Sequence, residues 1–131
     1  MEKRVINPWT WQDELGYVQA NEVSDADRVL YCAGQTSVDA EGNPVHEGDL
    51  EAQILQALDN IETVLAEADF DLADVVRLNI YTTDVDGYFG AAGTLNDRLA
   101  EAGCRYAGTL LGVTRLAFPQ LLVELEATAV R

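Results

Sequence analysis

The sequence predicts an α+β fold: a mixed β-sheet with two helices packed on one of its faces, in the order β-β-α-β-α-β-β. Three observations carry that expectation. Residues 121–130, Leu-Leu-Val-Glu-Leu-Glu-Ala-Thr-Ala-Val, alternate between an apolar and a mixed face with the period of a strand. Two longer stretches repeat apolar residues at three- and four-residue steps, the spacing of an amphipathic helix. The remaining apolar runs are short and bounded by turn residues, as strands are.

Residues 17–23 and 28–37 read as strands separated by the polar turn Ser24-Asp25-Ala26-Asp27, which suits an antiparallel hairpin. In the second strand Val29, Tyr31, Ala33 and Gln35 share one face, and Leu30, Cys32 and Gly34 share the other. Residues 39–48 contain Gly42-Asn43-Pro44 and read as a loop. Asp49 is placed to cap a helix whose apolar stripe is Leu50, Ile54, Leu58, Ile61 and Leu65. Residues 74–83 form a strand in which Val76, Leu78 and Ile80 alternate with Arg77, Asn79 and Tyr81. A second helix over residues 85–102 carries Tyr88, Ala92, Leu95 and Leu99 on its buried side. Strands over residues 108–116 and 121–130 finish the chain, joined through Ala117-Phe118-Pro119-Gln120. A strand that reaches the next only through a helix is expected to run parallel to it, and the flanking hairpins antiparallel.

With both helices on one face, the opposite face of the sheet is left uncovered. The 108–116 strand carries apolar residues on both sides, Leu111 and Val113 with Thr109 against Leu110, Gly112 and Leu116. Uncovered apolar sheet surface marks an interface, so a homo-oligomer is expected. The closing strand puts Leu121, Val123, Leu125 and Ala127 on one side and Leu122, Glu124, Glu126 and Thr128 on the other. Carboxylates are costly to bury unless paired or hydrogen-bonded. That second face is therefore either wet or lines a cavity that uses a carboxylate.

A chain of 131 residues with 48% hydrophobic content suits one domain over residues 1–131. Twenty-three acidic residues face 8 basic ones, for a formal net charge of -15. Lys3 is the only lysine and the arginines are scattered. Such a field repels phosphate backbones, so no nucleic-acid partner is expected. No segment approaches the ~18 apolar residues that span a bilayer, and the N-terminal stretch lacks the apolar run of a signal peptide. A cytoplasmic location, reduced Cys32 and Cys104, and no membrane partner are expected. Cys104 follows Gly103 at a helix exit, away from the helix start that favours thiolate. With His46 as the only histidine, neither a histidine-based metal site nor a Ser-His-Asp triad finds support, and no metal is expected. Trp9 and Trp11 either cover a cleft mouth or pack on a neighbour.

Tyr17-Val18-Gln19-Ala20, Cys32-Ala33-Gly34-Gln35-Thr36, Asp59-Asn60-Ile61, Val75-Val76-Arg77-Leu78 and Val123-Glu124-Leu125-Glu126-Ala127 together resemble the Rid/YjgF family, in the right order over nearly the whole chain. The resemblance implies a chorismate-mutase-like α+β subunit and a homotrimer with clefts between neighbouring subunits. It also implies cofactor-independent hydrolysis of imines and enamines to a carbonyl compound and ammonia. Carried onto this chain, the family's cleft tyrosine falls on Tyr17, its glycine-glutamine pair on Gly34 and Gln35, and its water-positioning glutamate on Glu124. The family's substrate-binding arginine stands seven residues before an arginine-leucine pair. That pair is Arg115-Leu116 here, so the position holds Gly108, followed by Thr109 and Leu110. The asparagine usual on the second helix is matched by Ala92.

An arginine fork grips a carboxylate through charge-assisted bonds of about 1.5–3 kcal/mol each. Without it, anionic imino acids are disfavoured, and a neutral or cationic imine, an enamine or another small carbonyl compound is expected. Gly108 also frees volume for a bulkier ligand, and Arg105 and Arg115 are the cations that could stand in. The resemblance thus implies a deaminase in which Glu124 and Thr109 handle water and Tyr17, Gly34, Gln35, Gly108 and Leu110 bind the ligand, the last through backbone N–H groups that face developing charge. Thr109 can equally be a plain β-former, and Glu126 reads as structural. A non-catalytic trimer that binds a metabolite or a partner enzyme is the alternative, with a ribonuclease role the least supported.

Overall fold

Period-two alternation in the closing segment builds the strand around which the sheet assembles. The computed structural model describes residues 1–131. Its strands are β1 (Glu2–Ile6), β2 (Ala20–Ser24), β3 (Val29–Tyr31), β4 (Gln35–Thr36), β5 (Val75–Thr82), β6 (Leu110–Gly112) and β7 (Val123–Val130), and its helices α1 (Leu50–Glu67), α2 (Val85–Ala91) and α3 (Gly93–Glu101). The main sheet runs β3-β7-β5-β6, with β4 also on β7. β7 is antiparallel to β3, β4 and β5, while β6 is parallel to β5 across the α2–α3 crossover. The mixed α+β architecture expected from the sequence holds.

The helices cover one face. Asp49 accepts the Ala52 N–H at 3.0 Å and caps α1, a bond of the kind that contributes about 1 kcal/mol. Ile54, Ala57, Leu58, Ile61 and Leu65 of α1 are fully buried against Val123, Leu125, Ala127 and Ala129 of β7 and Leu78 and Ile80 of β5, in one core of 21 residues. Each buried leucine or isoleucine contributes roughly 1.5–3 kcal/mol. Gln53 is buried among them but satisfied: its Oε1 accepts the Leu122 N–H at 2.8 Å, and its Nε2 donates to the carbonyls of His46 and Gln120.

Several sequence expectations are corrected. β2 does not form a hairpin with the following strand; it pairs antiparallel with β1, which makes a separate two-stranded sheet (Lys3↔Val23, Val5↔Asn21). The 28–37 strand divides into β3 and β4. Between Tyr31↔Thr128 and Gln35↔Leu125 this side advances four residues while β7 advances three. One extra residue flips the parity of every later position on that strand, so Gln35 leaves the face of Val29 and Tyr31 and joins that of buried Leu125. The 85–102 helix breaks at Ala92 into α2 and α3, with Tyr88, Ala92, Leu95 and Leu99 still buried. The 108–116 strand shrinks to three residues, and β5 lies between β6 and β7, so these last strands are not a hairpin.

The open face is also less apolar than expected. Its centre is Arg77, Asn79 and Tyr81 of β5 beside Glu124, Glu126 and Thr128 of β7. Apolar groups sit towards its edges, where Val29, Tyr31 and Leu111 are 49%, 79% and 48% exposed.

Candidate functional site

Glu124 lies on the open face between Thr36 of β4 and Tyr81 of β5. Its carboxylate rests over Gly34: a Cβ built there would come within 1.9 Å of Glu124 Oε1. Gly34 is thus needed for close approach of the side chain. Burial pushes the Glu124 pKa up, and the neighbouring charge of Glu126 adds to the shift. Glu126, two residues along, has the opposite environment. Its Oε1 accepts Asn79 Nδ2 at 3.1 Å and the Tyr81 hydroxyl at 2.8 Å, and these bonds hold its pKa below the usual carboxylate range. Asn79 Oδ1 in turn accepts the Thr109 N–H at 3.1 Å. The adjacent carboxylates are driven in opposite directions: hydrogen bonds favour the ionised form of Glu126, and burial disfavours ionisation of Glu124.

Tyr17, Gly108, Thr109 and Leu110 come together elsewhere, in a cleft of about 660 Å³ between the 14–19 segment, the α2–α3 junction and the β5–β6 edge. Leu78, Ile80, Ala92, Asn96, Tyr88 and Tyr106 also line it, and exposed Leu15 and Phe89 flank it. No lysine or arginine lines this cleft, and Glu14 is its one carboxylate. Arg105 and Arg115 do not line this cleft; Arg105 lines the adjoining hollow, which shares Tyr17, Val18 and Asn96 with it. Trp11 packs edge-on against Tyr17 with ring centroids 6.3 Å apart, which joins the N-terminal arm to the cleft.

Gly108 has a different reason for being glycine than the sequence suggested. A Cβ there would meet the Leu78 carbonyl oxygen at 1.8 Å and its carbon at 2.7 Å. The neighbouring bonds Leu78 N–H to Ala107 O and Ile80 N–H to Thr109 O hold the segment against β5. No side chain fits at position 108 unless a backbone moves, so the expectation of simple free volume is corrected.

The sequence-derived residues therefore fall in two groups. Tyr17, Gly108, Thr109 and Leu110 share the cleft, while Gly34 and Glu124 share the open face; Gln35 joins neither, its amide turned back to the Ala33 carbonyl. Leu78 and Ile80, which line the cleft, belong to the helix-covered side of the sheet, opposite Glu124. Sequence reading missed Asn79 and Tyr81 as partners of Glu126, although alternation puts them on one face. It read Tyr88 as core and passed over Tyr106, which precedes β6 without periodicity. Burial raises the Cys104 thiol to about 12 and raises Cys32 as well, which makes both poor nucleophiles. His46 sits in an exposed turn, and no group of three or more His, Cys, Asp or Glu is arranged to hold a metal ion.

A mixed sheet with helices on one face, a polar open face and an edge cleft defines a small α+β protein of the chorismate-mutase-like class. The sequence matches the family model described as Endoribonuclease L-PSP over residues 12–131, and the chain belongs to this family, also called the Rid/YjgF family. A RutC family protein of Pyrococcus abyssi is 29% identical over 130 residues, covering 98% of each chain. Among solved structures, the Rid family protein YyfB of Yersinia pestis, described as of unknown function, superposes with a TM-score of 0.89 at 37% identity over 100% of both chains. The yjgF gene product of E. coli gives 0.72 at 26% identity, over 88% of this chain and 87% of that one.

Proposed function

We propose that this protein hydrolyses a small, uncharged imine or enamine, with residues 1–131 acting as one Rid domain within a homotrimer. The observation that carries the reading is the unlike carboxylate pair: Glu124, raised and without a protein donor, beside Glu126, which is held ionised by Asn79 and Tyr81. Glu124 takes a proton from water as its oxygen bonds to the C=N carbon, and the C=N electron pair moves to nitrogen. Nitrogen takes up that proton to give the carbinolamine. The carbinolamine hydroxyl then passes its proton to nitrogen as the C–N bond breaks, leaving a carbonyl and ammonia, and an enamine enters the same sequence after tautomerising to the imine. General acid–base assistance of this kind contributes roughly 10²–10⁴ in rate. Gly108, Thr109 and Leu110 form the cleft wall at the β5–β6 edge, with the Thr109 N–H held by Asn79 on the Glu126 side.

Because the sheet separates Glu124 from the cleft within one chain, this mechanism needs a second copy whose open face closes the site. The exposed Val29, Tyr31 and Leu111 on that face support such an assembly. The same separation is what favours the alternative, a trimer that binds a metabolite without turning it over. A cleft without cations, in a chain of net charge -15, argues against the endoribonuclease of the family's description.

Ammonia release from a panel of neutral and anionic imines tests the proposal. Neutral imines should be hydrolysed and Glu124→Gln should abolish most of the rate. Equal turnover by parent and Glu124→Gln would refute the role of Glu124. Light scattering after gel filtration should report roughly three times the 14.3 kDa chain mass.

A further inference from the structure

We propose that the hydroxyls of Tyr88 and Tyr106 form a hydrogen-bond-donating recognition site in the cleft, selecting uncharged, largely apolar ligands that present a carbonyl or imine acceptor. The proposal names the substrate class for the deaminase reading and rests on that reading only for the identity of the cleft.

Both rings are 4% exposed, yet both line the cleft. Neither hydroxyl has a hydrogen-bonding partner in the protein: burial and neighbouring side-chain charges alone perturb them. The two rings are buried but their hydroxyl oxygens are not sealed off, so each donor stays open to the cleft, whereas a phenylalanine would bury the same ring and offer no donor. Retaining two such hydroxyls in one concave apolar wall fits a pocket that waits for an acceptor. Tyr106 is pushed up to about 12 and Tyr88 higher still, so both remain neutral donors through the physiological range. Tyr17 lines the same cleft and adds a third phenol to its wall.

The rest of the cleft fits the same ligand. Leu15, Leu78, Ile80, Phe89 and Leu110 supply apolar surface, and Glu14 opposes an anion. The Leu78 carbonyl closes position 108 to a cation-bearing side chain, so the backbone itself favours neutral recognition.

Ligand-observed NMR titration separates these contributions with three probes: acetophenone (neutral acceptor), ethylbenzene (no acceptor) and benzoylformate (anionic). The parent should bind acetophenone at least roughly tenfold more tightly than benzoylformate. Tyr88→Phe and Tyr106→Phe should each weaken acetophenone roughly five- to tenfold, the usual worth of one hydrogen bond, and leave ethylbenzene unchanged. Both variants should melt at or above the parent temperature, since no internal bond is lost. Unchanged acetophenone affinity in both variants, no acetophenone binding by the parent, or equal affinity for benzoylformate would overturn the proposal. A chain that binds acetophenone through both hydroxyls but releases no ammonia from any imine refutes the hydrolase reading and leaves this one standing.

Discussion

Two glycine-to-alanine substitutions should separate a tolerant site from a rigid one, although the overlaps look alike. An added Cβ comes within 1.9 Å of Glu124 Oε1 at Gly34 and within 1.8 Å of the Leu78 carbonyl oxygen at Gly108. At Gly34 the obstacle is the end of a side chain that can rotate away, and neither position needs a positive φ. Alanine there also restricts the unfolded chain, which stabilises by ≈ 0.4–1 kcal/mol. Gly34→Ala should therefore leave stability within about 1 kcal/mol of the parent while displacing the carboxylate and lowering any hydrolytic rate. At Gly108 the obstacle is a strand backbone, and overpacking costs about 1–3 kcal/mol or more. For a chain of this length each kcal/mol is worth roughly 3–5 °C, so Gly108→Ala should lower Tm by about 9–15 °C if the full 3 kcal/mol applies. Thermal melts by far-UV circular dichroism, at equal protein concentration in case assembly contributes, give the comparison. A Gly108→Ala melt within 2–3 °C of the parent, less than about 1 kcal/mol, would refute the close approach. An equal loss at Gly34 would show that Glu124 cannot swing aside.

The carboxylate pair should respond to pH with opposite signs. The folded-state pKa of Glu126 is depressed, so its stabilisation is present above the unfolded value near 4.3 and is lost as pH falls through the folded value. Glu126→Gln should destabilise at pH 7, with a difference that shrinks as pH falls through the lowered folded-state value. The folded-state pKa of Glu124 is raised, so its ionised form is penalised at pH 7 and the penalty lifts as pH falls through that value; Glu124→Gln should stabilise at pH 7 with a difference that fades in acid. Denaturant melts across pH check both, and differences of equal sign would refute the assignment. Gln53→Leu should destabilise by about 2–4 kcal/mol in chemical denaturation, because it strands the Leu122 N–H and the Gln120 carbonyl, while the His46 carbonyl keeps the Asp49 N–H.

What the sequence made legible was periodic. The α1 stripe from Leu50 to Leu65, the alternation in β5 and β7, and the Asp49 cap all appear where spacing put them. What it hid was aperiodic or long-range. Glu2–Ile6 opens with three charged residues and shows little strand pattern, so its pairing with β2 depends on contacts that local sequence does not encode. The extra residue between Tyr31 and Gln35 is invisible in composition, yet it turns Gln35 away from Glu124. The two halves of the candidate site were recognised residue by residue through the family resemblance, but only the geometry separates them onto opposite sides of the sheet. The donors to Glu126 were recoverable in principle: Asn79 and Tyr81 alternate with core residues Leu78 and Ile80, so they face the same way as Glu124 and Glu126 once β5 is set beside β7.

That one strand register connects stability to chemistry. Val123, Leu125, Ala127 and Ala129 are buried under α1, so β7 cannot slip by one residue without placing Glu124 and Glu126 in the core. The register that protects the core also fixes the two carboxylates on one face, two residues apart. At that spacing the ionised Glu126 raises the cost of ionising Glu124. Asn79 and Tyr81 maintain the Glu126 charge from the neighbouring strand, and the Asn79 amide also reaches the Thr109 N–H at the cleft edge. Asn79→Leu should consequently act at both places, weakening the hold on Glu126 and freeing the 108–110 segment from β5. If Glu124 serves as the acid–base group, the pH–rate profile should shift to lower pH as Glu126 becomes easier to protonate, with KM for neutral imines rising at the same time. A profile that stays fixed while KM rises would leave Asn79 as a brace for the cleft alone and disconnect Glu126 from the tuning of Glu124.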